Sequence, residues 1–152
     1  MKFQKTGYTI KQVQQQIHTA MEDALRPLSL SLSQYNVLKS LEASVLVTGA
    51  ELARKAFVTP QTMHTILMTM ERKELIAKAT ISGNTKSFNI SSTDKGKIAL
   101  KNADQALATL FEQANTSLTS KEYNELEHLL KKLSSGLKAS HSGLEYKQSE
   151  PN

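Results

Sequence analysis

TGAELARKAFVTPQTMHTILMTMERKELI, residues 48–76, contains two helix starts eleven residues apart. Thr48-Gly-Ala-Glu51 is a capping box, in which the threonine oxygen accepts from the third helical N–H and the glutamate reaches back to the threonine N–H. It opens a short helix carrying Leu52, Ala53, Ala56 and Phe57. Thr59-Pro60 opens the next, with threonine as N-cap and proline at the first helical position, where its missing N–H has no partner to lose. Only Phe57, Val58 and Thr59 separate the two, which is the spacing of a helix-turn-helix. Wound at 3.6 residues per turn, 60–72 puts Met63, Ile66, Leu67 and Met70 on one face and Gln61, Thr65, Met68 and Arg72 on the other, with Thr62 and Thr69 on one flank and His64 on the opposite flank.

After Leu75 the period changes to two. Ile76 to Ile81 alternate, Ser82-Gly83-Asn84 are turn formers, and Ser87-Phe-Asn-Ile-Ser91 alternate again, which reads as a two-stranded β wing. Upstream, Ile10, Val13, Ile17, Ala20, Ala24 and Leu28 form an amphipathic stripe over 8–28, bounded by Pro27, so that the helix is expected to end or kink at Arg26. Ser31-Leu-Ser-Gln34 is a second capping box and opens a helix over 32–43. Downstream, Thr93 caps a long helix with Leu100, Ala103, Leu107, Leu110 and Ala114 in four-three spacing. Thr119-Ser-Lys-Glu122 caps another, with Tyr123, Leu126, Leu130, Leu133 and Leu137 on one edge. Both edges have the spacing of coiled-coil seams, which predicts dimerisation helices over 8–28 and 97–139 around a head at 31–96. The tail from 140 to 152 has little to bury and is expected to be disordered. The fold class is mainly α: a winged helix-turn-helix with added N- and C-terminal dimerisation helices, in a single domain over 1–152.

Composition narrows the functions. With 39% apolar and 22% charged residues the chain is globular, and without cysteine it has no disulfide, no Cys-ligated zinc and no thiol nucleophile. No apolar run of signal-peptide or membrane-span length occurs, so a cytoplasmic protein away from membranes is expected. The net charge of +5 is uneven: Thr48 to Lys97 hold eight basic and four acidic residues, leaving +1 for the rest. A basic segment suits an acidic partner, though a solvated lysine surface would have the same count.

The outward face of 60–72 suits a DNA major groove. Glutamine can read adenine, arginine can read guanine, and threonine or methionine can touch a thymine methyl. A plain solvent-facing helix is the alternative, but this face lacks the usual Glu/Lys mix. Lys78 at the base of the hairpin and Lys86 past its tip can reach phosphates or the minor groove, while hairpin-edge lysines also serve to prevent edge-to-edge aggregation. The expected DNA-binding set is Thr59, Pro60, Gln61, Thr62, His64, Thr65, Met68, Thr69, Arg72, Lys78 and Lys86. No catalytic, cofactor or metal site is expected. The glycines are scattered, His18, His64, His128 and His141 stand in separate elements, and Glu125, Glu127 and His128 read as helix-surface residues. Glu71 and Glu74, near the end of the outward face, leave open a protein-interaction module that has lost DNA.

LSLSQYNVLKSL (30–41), GAELARKAFVTPQTMHTILMTMERKELI (49–76) and the hairpin closing on ISSTDKG (90–96) resemble the multiple-antibiotic-resistance regulator (MarR) family of bacterial transcription factors. The resemblance implies a homodimer interlaced through its terminal helices, with 60–73 as recognition helix and 75–92 as wing. It implies a repressor of double-stranded DNA, released by a small aromatic or anionic ligand between the first helix, the second and the start of the fifth. His18 and Tyr35 would line that cleft or simply satisfy hydrogen bonds in the core. Two positions depart from the family pattern. Asn84-Thr85-Lys86 stand where the family has Asp-x-Arg, so the planar fork and its ion pair are lost. Glu74 replaces a glycine, so the recognition helix is expected to end without a left-handed residue.

Overall fold

The computed structural model describes residues 2–43, 47–81, 84–114 and 117–145. Helix α1 spans Lys2–Leu25 and passes into one turn of 3-10 helix, Arg26–Leu28. It starts six residues before the expected Tyr8, because nothing in Lys2 to Thr6 breaks a helix and Gly7 alone does not stop one. It ends where Pro27 dictates, and Ser29 at φ 54° reverses the chain. Leu25, 0% exposed, is its anchor in the core.

Helix α2, Leu32–Glu42, begins with the expected reciprocal box: Ser31 Oγ accepts from the Gln34 N–H at 3.2 Å, and Gln34 Oε1 accepts from the Ser31 N–H at 3.3 Å. Strand β1, Val47–Thr48, leads into α3, Gly49–Ala56, then α4, Pro60–Arg72, and the strands β2, Ile76–Ile81, and β3, Asn84–Ser92. The wing hairpin is β2 with β3, its register slipping between Thr80 and Ile81; the expected turn residues Ser82 and Gly83 lie outside the described residues. A third strand joins it, for β1 pairs with β3 through Val47 opposite Ile90, giving the antiparallel order β1-β3-β2.

Helix α5, Asp94–Ala114, starts on Thr93, whose Oγ1 accepts from the Gly96 N–H at 3.0 Å. Helix α6, Ser120–Glu145, starts on the third capping box, with Glu122 Oε2 2.8 Å from the Thr119 N–H. It continues through Ser140–Glu145, correcting the expected onset of disorder at 140: Ser140 to Glu145 contain no proline, and each residue added to an existing helix gains a backbone hydrogen bond. The rest of the expected tail, 146–152, lies outside the described residues.

Two compact units divide the chain, Met1–Phe111 and Glu112–Asn152, where the sequence reading expects one domain over 1–152. The first has a continuous core in which Leu25, Val37, Leu38, Leu52, Met63, Leu67, Met70, Ile90, Leu100 and Leu107 are all buried. The second is built on α6, whose Tyr123, Leu126, Leu129, Leu130 and Leu137 are exposed.

Candidate nucleic-acid interface

Helix α4 is held at both ends by groups the sequence supplies. Thr59 Oγ1 accepts from the Thr62 N–H at 3.1 Å and lies 2.9 Å from the Thr62 hydroxyl, with Pro60 at the first turn. Met63, Leu67 and Met70 are buried, fixing the rotation of the helix and turning Gln61, His64, Thr65, Met68 and Arg72 to solvent. Thr62 is also exposed and Thr69 half-buried. Thr65 donates to Gln61 O at 3.2 Å and Thr69 to Thr65 O at 3.1 Å, so both hydroxyls are engaged with their own helix and their methyl groups remain as outward apolar contacts. The Gln61 amide and the Arg72 guanidinium are the long polar groups left to reach outward, Arg72 being only loosely tethered to Thr69 Oγ1 at 3.5 Å.

The C-terminal end corrects one expectation. Glu74 does adopt the left-handed conformation, at φ 60°. The Glu74 N–H donates to Glu71 O at 2.8 Å and the Leu75 N–H to Met70 O at 2.9 Å, the paired bonds of a Schellman end. A side chain at a glycine-like position is tolerated because its neighbours over-determine it. Glu74 O accepts from the Thr93 hydroxyl at 2.6 Å, and the Lys95 ammonium, 2.9 Å from the carboxylate, holds that carboxyl below its ordinary range. Lys73 donates to Ser29 O at 2.7 Å and Gln34 Oε1 at 3.2 Å. Helix α4 is thereby fixed to the start of α2 and the start of α5.

Lys78, expected on the outward set, is placed elsewhere. Its Nζ lies 2.6 Å from Glu71 Oε2 and its side chain is only 18% exposed, so it ties the base of the wing to α4. Lys86 lies on β3, its side chain outside the described residues. Three exposed residues outside the expected set stand beside the site: Arg54 and Lys55 in the last turn of α3, and Phe57 in the turn itself. The charge count included the two cations, but nothing in the sequence indicated that the phenyl ring would stand in solvent.

A second feature is a cleft of about 530 Å³ where α2, the end of β3 and α5 meet, lined by Leu41, Glu42, Ser91, Ser92, Lys97, Leu100, Lys101 and Asp104. At its rim Tyr35 donates to Asp104 Oδ1 at 2.8 Å, while Lys39 bridges Asp104 and Glu42, each at 2.9 Å. Burial raises the Tyr35 phenol, reinforced by Asp104. Burial opposes ionisation of Asp104, but the bonds from Lys39 and Tyr35 outweigh it and leave the carboxyl below its ordinary value. Neither His18, exposed on α1, nor Tyr35 lines the cleft. Among the described residues no three His, Asp or Glu gather as a metal site, and no helix is long and apolar enough to cross a membrane.

No family model matches the chain. The HTH-type transcriptional repressor Rv2887 of Mycobacterium tuberculosis is 30% identical over 129 residues, 85% of this chain and 93% of that protein. The crystal structure of that MarR family protein in complex with salicylic acid matches with a TM-score of 0.67 at 30% identity, over 84% of this chain and 94% of that one. The chain belongs to the MarR family. Its fold is also that of a mutant MarR from E. coli complexed with operator DNA, with a TM-score of 0.78 at 22% identity over 87% of this chain and 95% of that one. In this chain the helix-turn-helix of that fold is α3 with α4, and the wing is β2 with β3.

Proposed function

We propose that the chain is a homodimeric, sequence-specific DNA-binding repressor of transcription. It acts in the cytoplasm, without catalytic chemistry, and leaves a pseudo-palindromic operator when a small aromatic or anionic ligand binds. The observation that carries this is α4: its apolar face is fixed in the core while Gln61, Thr65, Met68 and Arg72 project together from a segment of net positive charge. Gln61 reads adenine and Arg72 guanine from this face. Thr59, Pro60, Thr62, His64 and Thr69 flank them against the groove walls, and Lys86 adds a backbone contact from the wing. Lys78 acts by positioning, holding the wing against α4 through Glu71.

The acidic residues that would suit a protein partner instead are both neutralised, Glu71 by Lys78 and Glu74 by Lys95. For the dimer, α1 and α6 supply exposed Ile10, Val13, Ile17, Leu126, Leu129 and Leu130 within 8–28 and 97–139. A two-fold dimer then requires half-sites centred about 10 bp apart or a multiple of that. The cleft beside Asp104 offers a ligand an apolar floor, Leu41 and Leu100, with the Lys97 and Lys101 ammonium groups for an anionic head. Such a ligand releases DNA only by binding the incompetent form more tightly.

Binding to the DNA flanking its own gene, measured against salt, tests the reading. Log K is expected to fall by about 0.9 for each phosphate neutralised. Affinity that does not change between low and moderate salt overturns it.

A further inference from the structure

We infer that Phe57 is a DNA-contact residue, its ring packing against the sugar face of the duplex backbone just ahead of the reading helix. The inference rests on the DNA-binding reading above. Phe57 closes α3 in the left-handed region, φ 53° and ψ 39°, and is 96% exposed. Its N–H is used, capping α3 on Arg54 O at 3.3 Å, but the backbone end needs only a residue that tolerates positive φ. Glycine would close the helix without strain, and asparagine with little.

Among the described residues, the two other non-glycine residues at positive φ differ from it. Glu74 is held there by Thr93 and Lys95, and Ser29 is small and polar. Phe57 has both an aromatic side chain in a glycine-like conformation and a ring left uncovered among the described residues. An unshielded apolar side chain at a strained position points to a partner that covers it.

The neighbouring chemistry identifies the partner. Arg54 and Lys55 precede the ring by one turn, both exposed, and Thr59, Pro60 and Gln61 follow it at the exposed start of α4. An apolar ring between two cations and the entry to a reading helix matches a duplex backbone, whose phosphates alternate with apolar deoxyribose faces. Sugar contacts of this kind fix register without reading sequence.

The test uses the full-length protein and a duplex that the wild type selects from a random-sequence pool. Phe57→Gly is expected to keep or raise the melting temperature, since it relieves the backbone, while weakening the duplex about tenfold at every salt concentration with the salt slope unchanged. Phe57→Tyr is expected to restore the affinity, and Lys55→Ala to lower the slope by about one. Phe57→Gly binding as tightly as wild type overturns the inference alone, and so does a weakening accompanied by a lower salt slope, which would mean that a cation had moved. A wild type that selects no duplex overturns the DNA reading and this inference together.

Discussion

The head and the outlying helices treat their apolar residues in opposite ways. In the head, the inward positions of α4 are closed over by α2, α3 and the sheet, leaving Met63, Leu67 and Met70 at 4% exposure or less. On α6 the same four-three spacing leaves Leu126, Leu129, Leu130 and Leu137 at 43% or more, and on α1 Val13 and Ile17 are similarly open. Periodicity therefore tells which face will be buried but not what buries it. The head satisfies its pattern within one chain; a second copy laid on the terminal helices would satisfy theirs, as in a chain whose fold is completed by dimerisation.

The largest effect should come from breaking that second burial. Leu130→Asp changes a residue that is 43% exposed in the single chain, where a charge would cost almost nothing. In a dimer seam it strands an unpaired carboxylate, a penalty on the order of 3–5 kcal/mol. An aggregated or unfolded product, seen by sedimentation and circular dichroism, is expected; a well-folded monomer would show that the outlying helices need no partner.

Gly96→Ala probes the head's closure instead. A Cβ there would overlap the Leu75 carbonyl oxygen, so the end of α4 and the start of α5 must move apart. A loss of about 1–3 kcal/mol is expected from thermal or denaturant unfolding. Unchanged stability would mean that this joint is looser than its hydrogen bonds imply.

On the surface proposed to face DNA the contrast is between reading and holding. Arg72→Ala or Gln61→Ala should relax preference at one base position at about 1–3 kcal/mol, whereas Lys86→Ala should weaken all sequences alike and lower the salt slope by about one. Selection from a random pool by each variant separates them, and base preference altered by Lys86→Ala alone would reverse the roles.

What could be read in advance follows the range of the interactions involved. Capping boxes at Ser31, Thr48 and Thr119 are bonds between residues three apart, and all three form as written. The rotation of α4 was legible because four apolar residues share one face, of which Met63, Leu67 and Met70 are buried and Ile66 is half-buried. Strand β1 was not, since its two residues are a strand only by pairing with Ile90 and Asn89, some forty positions away. The left-handed Glu74 was hidden for the same reason: what holds it is Thr93 and Lys95, in the next helix region. Lys78 looked like a free wing cation because its pairing with Glu71 depends on how the hairpin folds back on α4.

The smallest expected effect concerns pH at the joint of α2 and α5. The Asp104 carboxyl lies below its ordinary value of about 3.9, so its share of stability is present above that pH and is lost as pH falls through the lower folded value. The Tyr35 phenol is raised above its ordinary value of about 10, so its share is present below that pH and is lost as pH rises through the higher folded value. Between these limits the pair should contribute a flat plateau. Tyr35→Phe removes the 2.8 Å bond to Asp104 Oδ1 but leaves Lys39 on Oδ2, so the carboxyl should be less depressed and its acid loss should begin at higher pH. The plateau should drop by about 1 kcal/mol, the usual net worth of one such bond. Denaturant unfolding across the acid range checks it, and an acid limb that coincides with wild type would mean that Lys39 alone sets the Asp104 pKa. Asp104 lines the cleft, so the same variant should also shift the affinity for an aromatic acid if that cleft takes one.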